Sequence, residues 1–362
     1  NMKMRKIVCS FMISVLCFMT AISGVSATSY DTSKINAAYS KVVEYYKNNN
    51  NLNNADKILA VESLGLEAES NQFDTSSADL SSTSLSKKIV TEVLLGVDPT
   101  EDKKTLESQI DENGNVEGSW GASSDVWTLY ALYVTSSEKA NLIANKLNDE
   151  LAASSVCGYE WGGTYYADYD TTGWVIEGLA VVNKEKYATT INKAIDYIKN
   201  NTTMPTTGWV TADNVDTQSQ VLEGMFAYDT NALLNDSYTV HPVDCLLNTQ
   251  LSDGSFPSGY NAEYTTAEVA KTLGTYKNGS VFEKAKKAYD KMMNPEQPDN
   301  TKPAQPTDTK KDSQSTNKVE TTNQKTTSVK TGDETNVVIF VSLSMVSGGL
   351  FLVLRKEYER VH

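Results

Sequence analysis

Two acids flank a tyrosine in the middle of the chain, directly before a stretch that is predicted to form an apolar helix. Asp168 and Asp170 lie on either side of Tyr169, and Thr171 and Thr172 follow. A carboxylic acid that is buried beside a second carboxylate keeps its proton near neutral pH, so Asp170 could act as a general acid. The simpler interpretation is structural, because Asp170 and Thr171 could accept hydrogen bonds from free backbone N–H groups at the helix start.

A second group of polar residues recurs at one register of four apolar helices, where a core position would be apolar. The register is occupied by Tyr130, Glu177, Glu223 and Lys271. Asp170 and Glu177 are seven residues apart, as are Asp216 and Glu223, so each pair lies on one face of its helix. If that face looks into a cavity, the residues form a polar ring. If it looks between helices, they form a salt-bridge network.

Turns rich in glycine and aromatic residues stand before these four helices. The turns contain Gly118-Ser119-Trp120, Gly162-Gly163 with Tyr165 and Tyr166, Gly208-Trp209, and Gly254-Ser255-Phe256. When the helices are aligned on Leu132, Leu179, Met225 and Leu273, the intervals are 47, 46 and 48 residues. A fixed interval predicts a repeat architecture, in which each unit stacks on the next because none can bury its apolar face alone.

Helical spacing of apolar residues extends over most of the segment from residue 32 to residue 293. The more apolar helices are predicted near 123–135, 170–183, 215–228 and 264–277, with polar-faced helices at 103–109, 138–151, 184–200, 241–251 and 281–293. Three further helices are predicted at 32–47, 55–66 and 85–96. Strand patterns are nearly absent, and residues 163–169 are expected to form a short hairpin at most. The predicted fold class is therefore all-α.

The repeats resemble the prenyltransferase/squalene-oxidase repeat of terpenoid cyclases and protein prenyltransferases. The clearest copy is residues 246–256, where an outer helix is followed by Gln250 and by the turn Asp253-Gly254-Ser255-Phe256. A second copy joins residues 106–109 to Gly114 and to residues 118–120. The resemblance covers residues 85–293 and implies an α/α toroid of about six helix pairs over residues 28–293. In such repeats the glutamine and the aromatic residue tie one helix pair to the next.

A toroid of this family would enclose a cavity whose mouth is lined by the glycine-aromatic turns and the starts of the inner helices. The candidate ligand-binding residues are Tyr165, Tyr166, Trp174, Trp127, Asp216, Tyr264, Glu177 and Glu223. Residues 168–172 also resemble the Asp-x-Asp-Asp motif of class II terpene cyclases. That resemblance implies that Asp170 donates a proton with Asp168 beside it, although Thr171 replaces the last acid of the motif.

The sequence does not support a metal or cofactor site. Zinc-dependent protein prenyltransferases carry Asp-x-Cys and a later His, whereas here Asp244 and Cys245 are adjacent and His241 precedes them. Residues 111–117 alternate acids and amides, but Val116 and Ala122 stand where a calcium-binding EF-hand needs Gly and Glu. We therefore predict neither a metal nor a cofactor.

The two ends of the sequence carry patterns typical of an exported, anchored protein. Residues 2–6 are basic, residues 7–22 are almost wholly apolar, and small residues lead to Ala27, after which we expect signal-peptide cleavage. A membrane span is the alternative for this segment. Near the other end, residues 337–354 are apolar and are followed by Arg355 and Lys356, as in a spanning helix with a basic cytoplasmic tail.

Ser328-Val329-Lys330-Thr331-Gly332 precedes that apolar segment. The arrangement resembles the cell-wall sorting signal of Gram-positive surface proteins, in which sortase cuts a Leu-Pro-x-Thr-Gly motif and joins the Thr to peptidoglycan. It implies cleavage between Thr331 and Gly332, although Ser328 and Val329 stand in place of Leu and Pro. Retention by the single membrane span at 336–362 is the alternative. Residues 294–335 are rich in Thr, Pro and Lys and are predicted to be a disordered linker.

Net charge and cysteine content limit the kinds of partner and fold expected for the part of the chain after residue 27. The formal net charge of −14 disfavours nucleic acid as a partner. After residue 27, Cys157 and Cys245 are the only cysteines, so the fold cannot depend on a disulfide framework. We expect an extracellular, surface-anchored protein that binds a small molecule, a glycan or a protein without catalysis. The alternative is a terpene-cyclase-like enzyme that uses Asp170 as its acid.

Overall fold

The computed structural model describes residues 30–69, 81–259 and 261–295. Within these ranges the chain forms twelve helices and one two-stranded hairpin, so the all-α prediction is confirmed. The predicted signal peptide at 1–27 and the anchor at 336–362 lie outside the described residues, as does nearly all of the linker at 294–335. No helix in the described part of the chain is long and apolar enough to cross a membrane.

The helices follow one another with short connections. In chain order they are α1 (Ser33–Asn48), α2 (Ala55–Ser63), α3 (Ser82–Leu94), α4 (Thr100–Ser108), α5 (Ala122–Val134), α6 (Ala140–Ser154), α7 (Tyr169–Asn201), α8 (Met204–Thr207), α9 (Val215–Asn235), α10 (Pro242–Leu247), α11 (Ala262–Asn278) and α12 (Val281–Met293). The hairpin, β1 (Gly158–Trp161) and β2 (Thr164–Ala167), lies between α6 and α7. The predicted helices are thus all present, with ends displaced by a few residues.

Two of the helices are each interrupted by one non-helical residue. Asn183 breaks α7 with φ −165° and ψ 89°, and Asp229 breaks α9 with φ −154° and ψ 92°. Each side chain then caps the segment that follows, since Asn183 accepts from Lys186 N and Asp229 from Ala232 N, both at 3.0 Å. The break in α7 separates the apolar helix predicted near 170–183 from the polar-faced helix predicted at 184–200.

Six helices contact one another in cyclic order, and we call them the core helices. They are α2, α3, α5, the first part of α7 (169–182), the first part of α9 (215–228) and α11; each contacts the next, and α11 contacts α2. Of the other helices, α4 contacts α3 and α5, α6 contacts α5 and α7, and α12 contacts α2, α3, α5 and α11. Most of the residues of α5, α9 and α11 are buried.

The contacts between core helices show their relative direction. Between α2 and α11, Lys57 Nζ lies 2.9 Å from Glu263 near the two starts, and Ser63 Oγ donates to Ala270 O at 3.3 Å further along. Because these contacts occur in the same order along both helices, α2 and α11 are parallel. The same order holds from α5 to α7, from α7 to α9 and from α9 to α11. The starts of these helices therefore share one end, which we call the rim.

Glycines allow the core helices to approach closely. A Cβ atom on Gly173 of α7 would lie 2.4 Å from Gln220 O of α9, and one on Gly224 of α9 would lie 2.3 Å from Gly173 O. A Cβ on Gly274 would meet the backbone of Ser63 at 2.6 Å. No real Cβ contact is this short, so glycine is required where α7 crosses α9 and where α11 crosses α2.

Polar side chains of the core helices fix the turns that precede them. Thr172 Oγ1 accepts from Cys157 N at 2.9 Å, Gln218 Oε1 from Val210 N at 3.0 Å, and Thr266 Oγ1 from Phe256 N at 3.0 Å. Gln250 Nε2 donates to Ala38 O of α1 at 3.0 Å and to Gly254 O at 3.1 Å. Gln250 therefore joins its own turn to another helix, as the repeat pattern predicts.

The hairpin begins earlier in the chain than the prediction for residues 163–169. Its strands pair antiparallel, with Tyr159 opposite Tyr166. The two residues of the turn, Gly162 and Gly163, have φ of 57° and 77°. Two successive positive φ values form the turn whose twist matches that of paired strands, and glycine adopts them without strain.

Candidate functional site

The starts of three neighbouring core helices have the same cap. Asp168 of α7 accepts a hydrogen bond from Thr171 N at 3.1 Å, Asn214 of α9 from Thr217 N at 3.1 Å, and Asn261 of α11 from Tyr264 N at 3.0 Å. The prediction that Asp170 and Thr171 cap α7 was therefore wrong. Asp168 is the residue with extended backbone geometry before the helix, and only there can a short side chain reach the free N–H groups.

Asp170 stands two residues after the cap and faces the next helix. It is partly exposed, and its carboxyl group interacts with the Thr217 side chain at the start of α9. Burial raises the pKa of Asp170 to about 7; the Thr217 hydrogen bond opposes the shift, and the Asp168 and Asp216 carboxylates add to it. Asp170 can therefore exchange a proton near neutral pH, which a simple capping residue would not do.

Asp216 holds the matching position two residues after the cap of α9. Its side chain is 7% exposed and lies beside Thr265 of α11. Burial raises the pKa of Asp216 to about 6, against the opposing effect of the Thr265 side chain. Its Oδ1 atom has no hydrogen-bond partner among the described residues. Asp170 and Asp216 thus occupy equivalent positions, and the carboxyl group of each lies beside a threonine at the start of the next core helix.

The polar register predicted from the sequence is buried between the core helices. Tyr130 and Glu223 have no exposed surface, and Glu177 and Lys271 are 1% exposed. The Tyr130 hydroxyl lies 3.2 Å from Glu177 Oε2, and Lys271 Nζ lies 3.6 Å from Glu223 Oε2. Of the two interpretations that the sequence allowed, the structure shows the salt-bridge network and not a ring of polar groups open to a cavity.

Glu268 completes this network. Its Oε2 atom lies 3.1 Å from Lys271 Nζ and 3.4 Å from Gln220 Nε2, which is also 3.4 Å from the Tyr264 hydroxyl. Glu268 and Gln220 are 1% and 2% exposed. Through Gln220 and Tyr264, the buried network reaches toward the rim. The sequence reasoning missed Glu268 and Gln220, which stand among other polar residues of α11 and α9.

The network contains more carboxylates than cations. Burial raises the pKa of Glu223 well above its usual range, and Lys271 only partly opposes that effect. Burial also raises the pKa of Glu177, while hydrogen bonds from Ser280 and Tyr130 oppose the rise. Lys271 itself keeps its charge, because Glu223, Glu268 and Glu177 raise its pKa despite its burial. Burial thus favours the neutral forms of Glu223 and Glu177 and is opposed by the charge of Lys271.

Aromatic side chains pack around the network. Phe282 of α12 stacks on Tyr130 with ring centroids 3.6 Å apart, and Trp127 packs edge-on against both Tyr130 and Trp174. Ser280, just before α12, donates to Glu177 Oε1 at 2.7 Å. Trp127 and Trp174, both predicted as ligand contacts, pack against each other beside the polar network.

A cavity of about 510 Å³ lies at the rim, between the start of α9 and the turn that precedes α11. Its walls are Trp209, Asp213, Asn214, Val215, Asp216, Thr249, Pro257, Ser258 and Gly259. Of the predicted ligand-binding residues, Asp216 alone is among these wall residues. A second cavity of about 350 Å³ lies near the breaks in α7 and α9 and the end of α11, and none of the predicted residues lines it.

The hairpin carries a separate group of exposed aromatic residues. Tyr165 is 47% exposed and Tyr166 is 44% exposed, and Tyr166 stacks on Tyr159 with centroids 5.6 Å apart. The Tyr165 hydroxyl donates to Val156 O at 2.8 Å. These tyrosines are accessible to a partner, but they are not wall residues of the rim cavity.

Metal-binding groups are lacking in the described ranges: no three His, Cys, Asp or Glu side chains are grouped so that they could hold an ion. Cys157 and Cys245 are both buried and free. Comparison of the chain with family models, with curated proteins and with solved structures gives no match.

Proposed function

We propose that residues 28–293 form an α/α toroid that serves as a non-catalytic binding domain, and that its rim cavity receives a small molecule. Two observations support the toroid: the cyclic order of the core helices and the parallel direction of those from α5 to α2. A closed cycle of parallel helices brings their starts, and the turns before them, to one end of the domain.

The rim cavity is the observation that carries the binding function. Its volume of about 510 Å³ is in the range of small-molecule sites, and its walls combine Trp209, Val215 and Pro257 with a few polar groups. In contrast, the central network cannot contact a ligand directly, because Glu177, Glu223 and Lys271 are at most 1% exposed. Binding at the rim would leave that network as a structural support.

An unbiased thermal-shift screen of metabolites and glycans against the full chain tests this proposal. Gly259 suits a blocking variant, since its backbone is not left-handed and a Cβ there meets nothing within 4 Å. Gly259→Trp would place an indole beside the cavity without disturbing the core. The matched control is Asn192→Trp on the exposed side of α7. We expect ligands whose stabilisation is lost in Gly259→Trp and kept in Asn192→Trp; ligands that bind both variants equally would refute a rim site.

The second candidate function is acid catalysis by Asp170, and the pKa of about 7 favours it. A terpene-cyclase-like reaction requires an acid that is protonated at neutral pH and accessible to an alkene or an epoxide. Asp170→Asn keeps the shape and removes the acid. Conversion of polyprenyl substrates by the native chain but not by Asp170→Asn would establish this alternative, whereas absence of an Asp170-dependent product would remove it.

We further propose that the domain acts outside the cell, after signal-peptide removal at Ala27, and is attached through the C-terminal segment to peptidoglycan or to the membrane. The support is the sequence order of motif, apolar stretch and basic tail. Mass spectrometry of the C-terminal peptide separates the two modes. A peptide that ends at Thr331 with a peptidoglycan adduct indicates sortase processing, and an intact His362 indicates retention by the membrane span.

A further inference from the structure

The rim cavity combines an aromatic wall with acidic residues. Trp209, Val215 and Pro257 supply apolar surface, while Asp213 and Asp216 supply carboxylates. None of the described residues that line the cavity is Lys, Arg or His. A ligand in this cavity therefore meets negative charge and an indole ring, and it meets no Lys, Arg or His side chain among the described wall residues.

Asp216 is the unusual member of this lining. It is 93% buried, yet its Oδ1 atom has no hydrogen-bond partner among the described residues. The pKa of Asp216, raised by burial to about 6, still leaves the group mostly ionised at pH 7 and above. A buried carboxylate without full hydrogen bonding is costly, and a cation placed beside it reduces that cost.

The surroundings of the cavity reinforce the negative charge. Asp170 lies at the neighbouring helix start, and Asp253 is exposed in the turn before α11. Lys57, a cation at the start of α2, is already paired with Glu263 at 2.9 Å. The helix start of α9 would favour an anion, but Asn214 already accepts from one of its N–H groups and Asp216 places a carboxylate within its first turn. Anionic ligands are therefore disfavoured.

We infer that the rim cavity binds a small organic cation, an ammonium compound whose charged group lies between Asp216 and the face of Trp209. This inference rests on the proposed binding function and adds the chemical class of the ligand. An ammonium group satisfies both neighbours at once, since the carboxylate attracts its charge and the aromatic face attracts the same charge through its quadrupole. Ligand carbon atoms attached to the nitrogen would contact Val215 and Pro257.

Isothermal titration of the full chain with two matched pairs of compounds tests the inference. The pairs are choline with its uncharged carbon isostere dimethylbutanol, and butylammonium with neutral butanol. We expect each ammonium compound to bind about tenfold or more tightly than its neutral partner, because shape is shared and only the charge differs. If neither ammonium compound binds, or if the neutral partners bind equally well, the inference is wrong.

Variants locate the site. Asp216→Asn should weaken ammonium binding by about tenfold, and Trp209→Leu by about threefold or more, through loss of the charge and of the ring face respectively. The control Glu185→Gln makes the same change of charge at an exposed position on the outer part of α7 and should leave affinity unchanged. An equal loss in Glu185→Gln would show only a general charge effect and would overturn the site.

The proposal of an ammonium ligand can fail while the proposal of a binding site at the rim cavity stands, and the experiments distinguish the two. A neutral compound that binds the native chain and fails to bind Gly259→Trp would keep the rim cavity as a binding site while rejecting an ammonium ligand. Ammonium binding that persists in Gly259→Trp would place the cation elsewhere and reject both statements. Circular dichroism of each variant distinguishes lost binding from lost folding.

Discussion

Replacing Lys271 by Met should destabilise the domain strongly. Lys271 is 1% exposed and its Nζ atom lies 3.1 Å from Glu268 and 3.6 Å from Glu223, so its removal leaves the buried carboxylate of Glu268, and the carboxyl group of Glu223 beside it, without their cation. Removing one partner of a buried ion pair costs about 3–5 kcal/mol. For a domain of this size, each kcal/mol shifts the melting temperature by about 2–4 °C. We therefore expect Tm to fall by about 6–20 °C.

The assay is thermal and urea denaturation at pH 7, followed by circular dichroism, with exposed Lys193→Met as the control. Two further variants separate the carboxylates of the network. Glu223→Gln should cost less than about 1 kcal/mol, since burial already favours the protonated form of Glu223. Glu268→Gln, which removes the nearer partner of Lys271, should cost more. If Lys271→Met lowers the free energy of unfolding by less than about 1 kcal/mol, the network is not organised around Lys271. Equal losses of stability in Glu223→Gln and Glu268→Gln would lead to the same conclusion.

Three other perturbations have defined outcomes. The folded-state pKa of Asp170, about 7, lies above its value in an unfolded chain, so Asp170 takes up a proton on folding. The free energy of unfolding should therefore rise by about 1–2 kcal/mol from pH 7.5 to pH 5.5, measured by urea titration. Asp170→Asn should remove this pH-dependent increase. Gly224→Ala should cost about 3 kcal/mol or prevent folding, since its Cβ would meet Gly173 O at 2.3 Å, whereas Gly259→Ala should be neutral by the same melting assay. Asp168→Ala should cost about 1 kcal/mol and Asp168→Asn much less, and equal losses would refute its role as a cap.

The helices and the turns before them could be predicted from the sequence because they depend on local patterns. Apolar spacing identifies each helix, and the glycine-aromatic turns mark where the four repeated core helices begin. Gln250 was assigned a structural role from its place in the repeat, and its hydrogen bonds to Ala38 O and Gly254 O confirm that role. The all-α class and the short hairpin follow from the same local signals.

The candidate site was predicted less well, because its contacts join distant parts of the chain. Whether Asp168 or Asp170 caps α7 depends on which residue has the extended backbone, and both residue types suit a cap. Glu268 and Gln220 stand among other polar residues of their helices, and only the packing of α9 against α11 brings them to 3.4 Å from each other. The rim cavity likewise joins two turns about 40 residues apart, and no local pattern records their proximity.

The central claim is that the core helices close on themselves, so that their starts meet at one rim. Lys57 on α2 and Glu263 on α11 are separated by most of the domain in sequence but lie 2.9 Å apart. In a chain carrying Lys57→Cys and Glu263→Cys, a short thiol-specific bifunctional reagent should form an intramolecular crosslink under native conditions, detected by mass spectrometry of the digested protein. The control pair Lys57→Cys and Asn192→Cys should not crosslink. Equal crosslinking of the two pairs, or none for Lys57→Cys with Glu263→Cys, would contradict a closed cycle of helices.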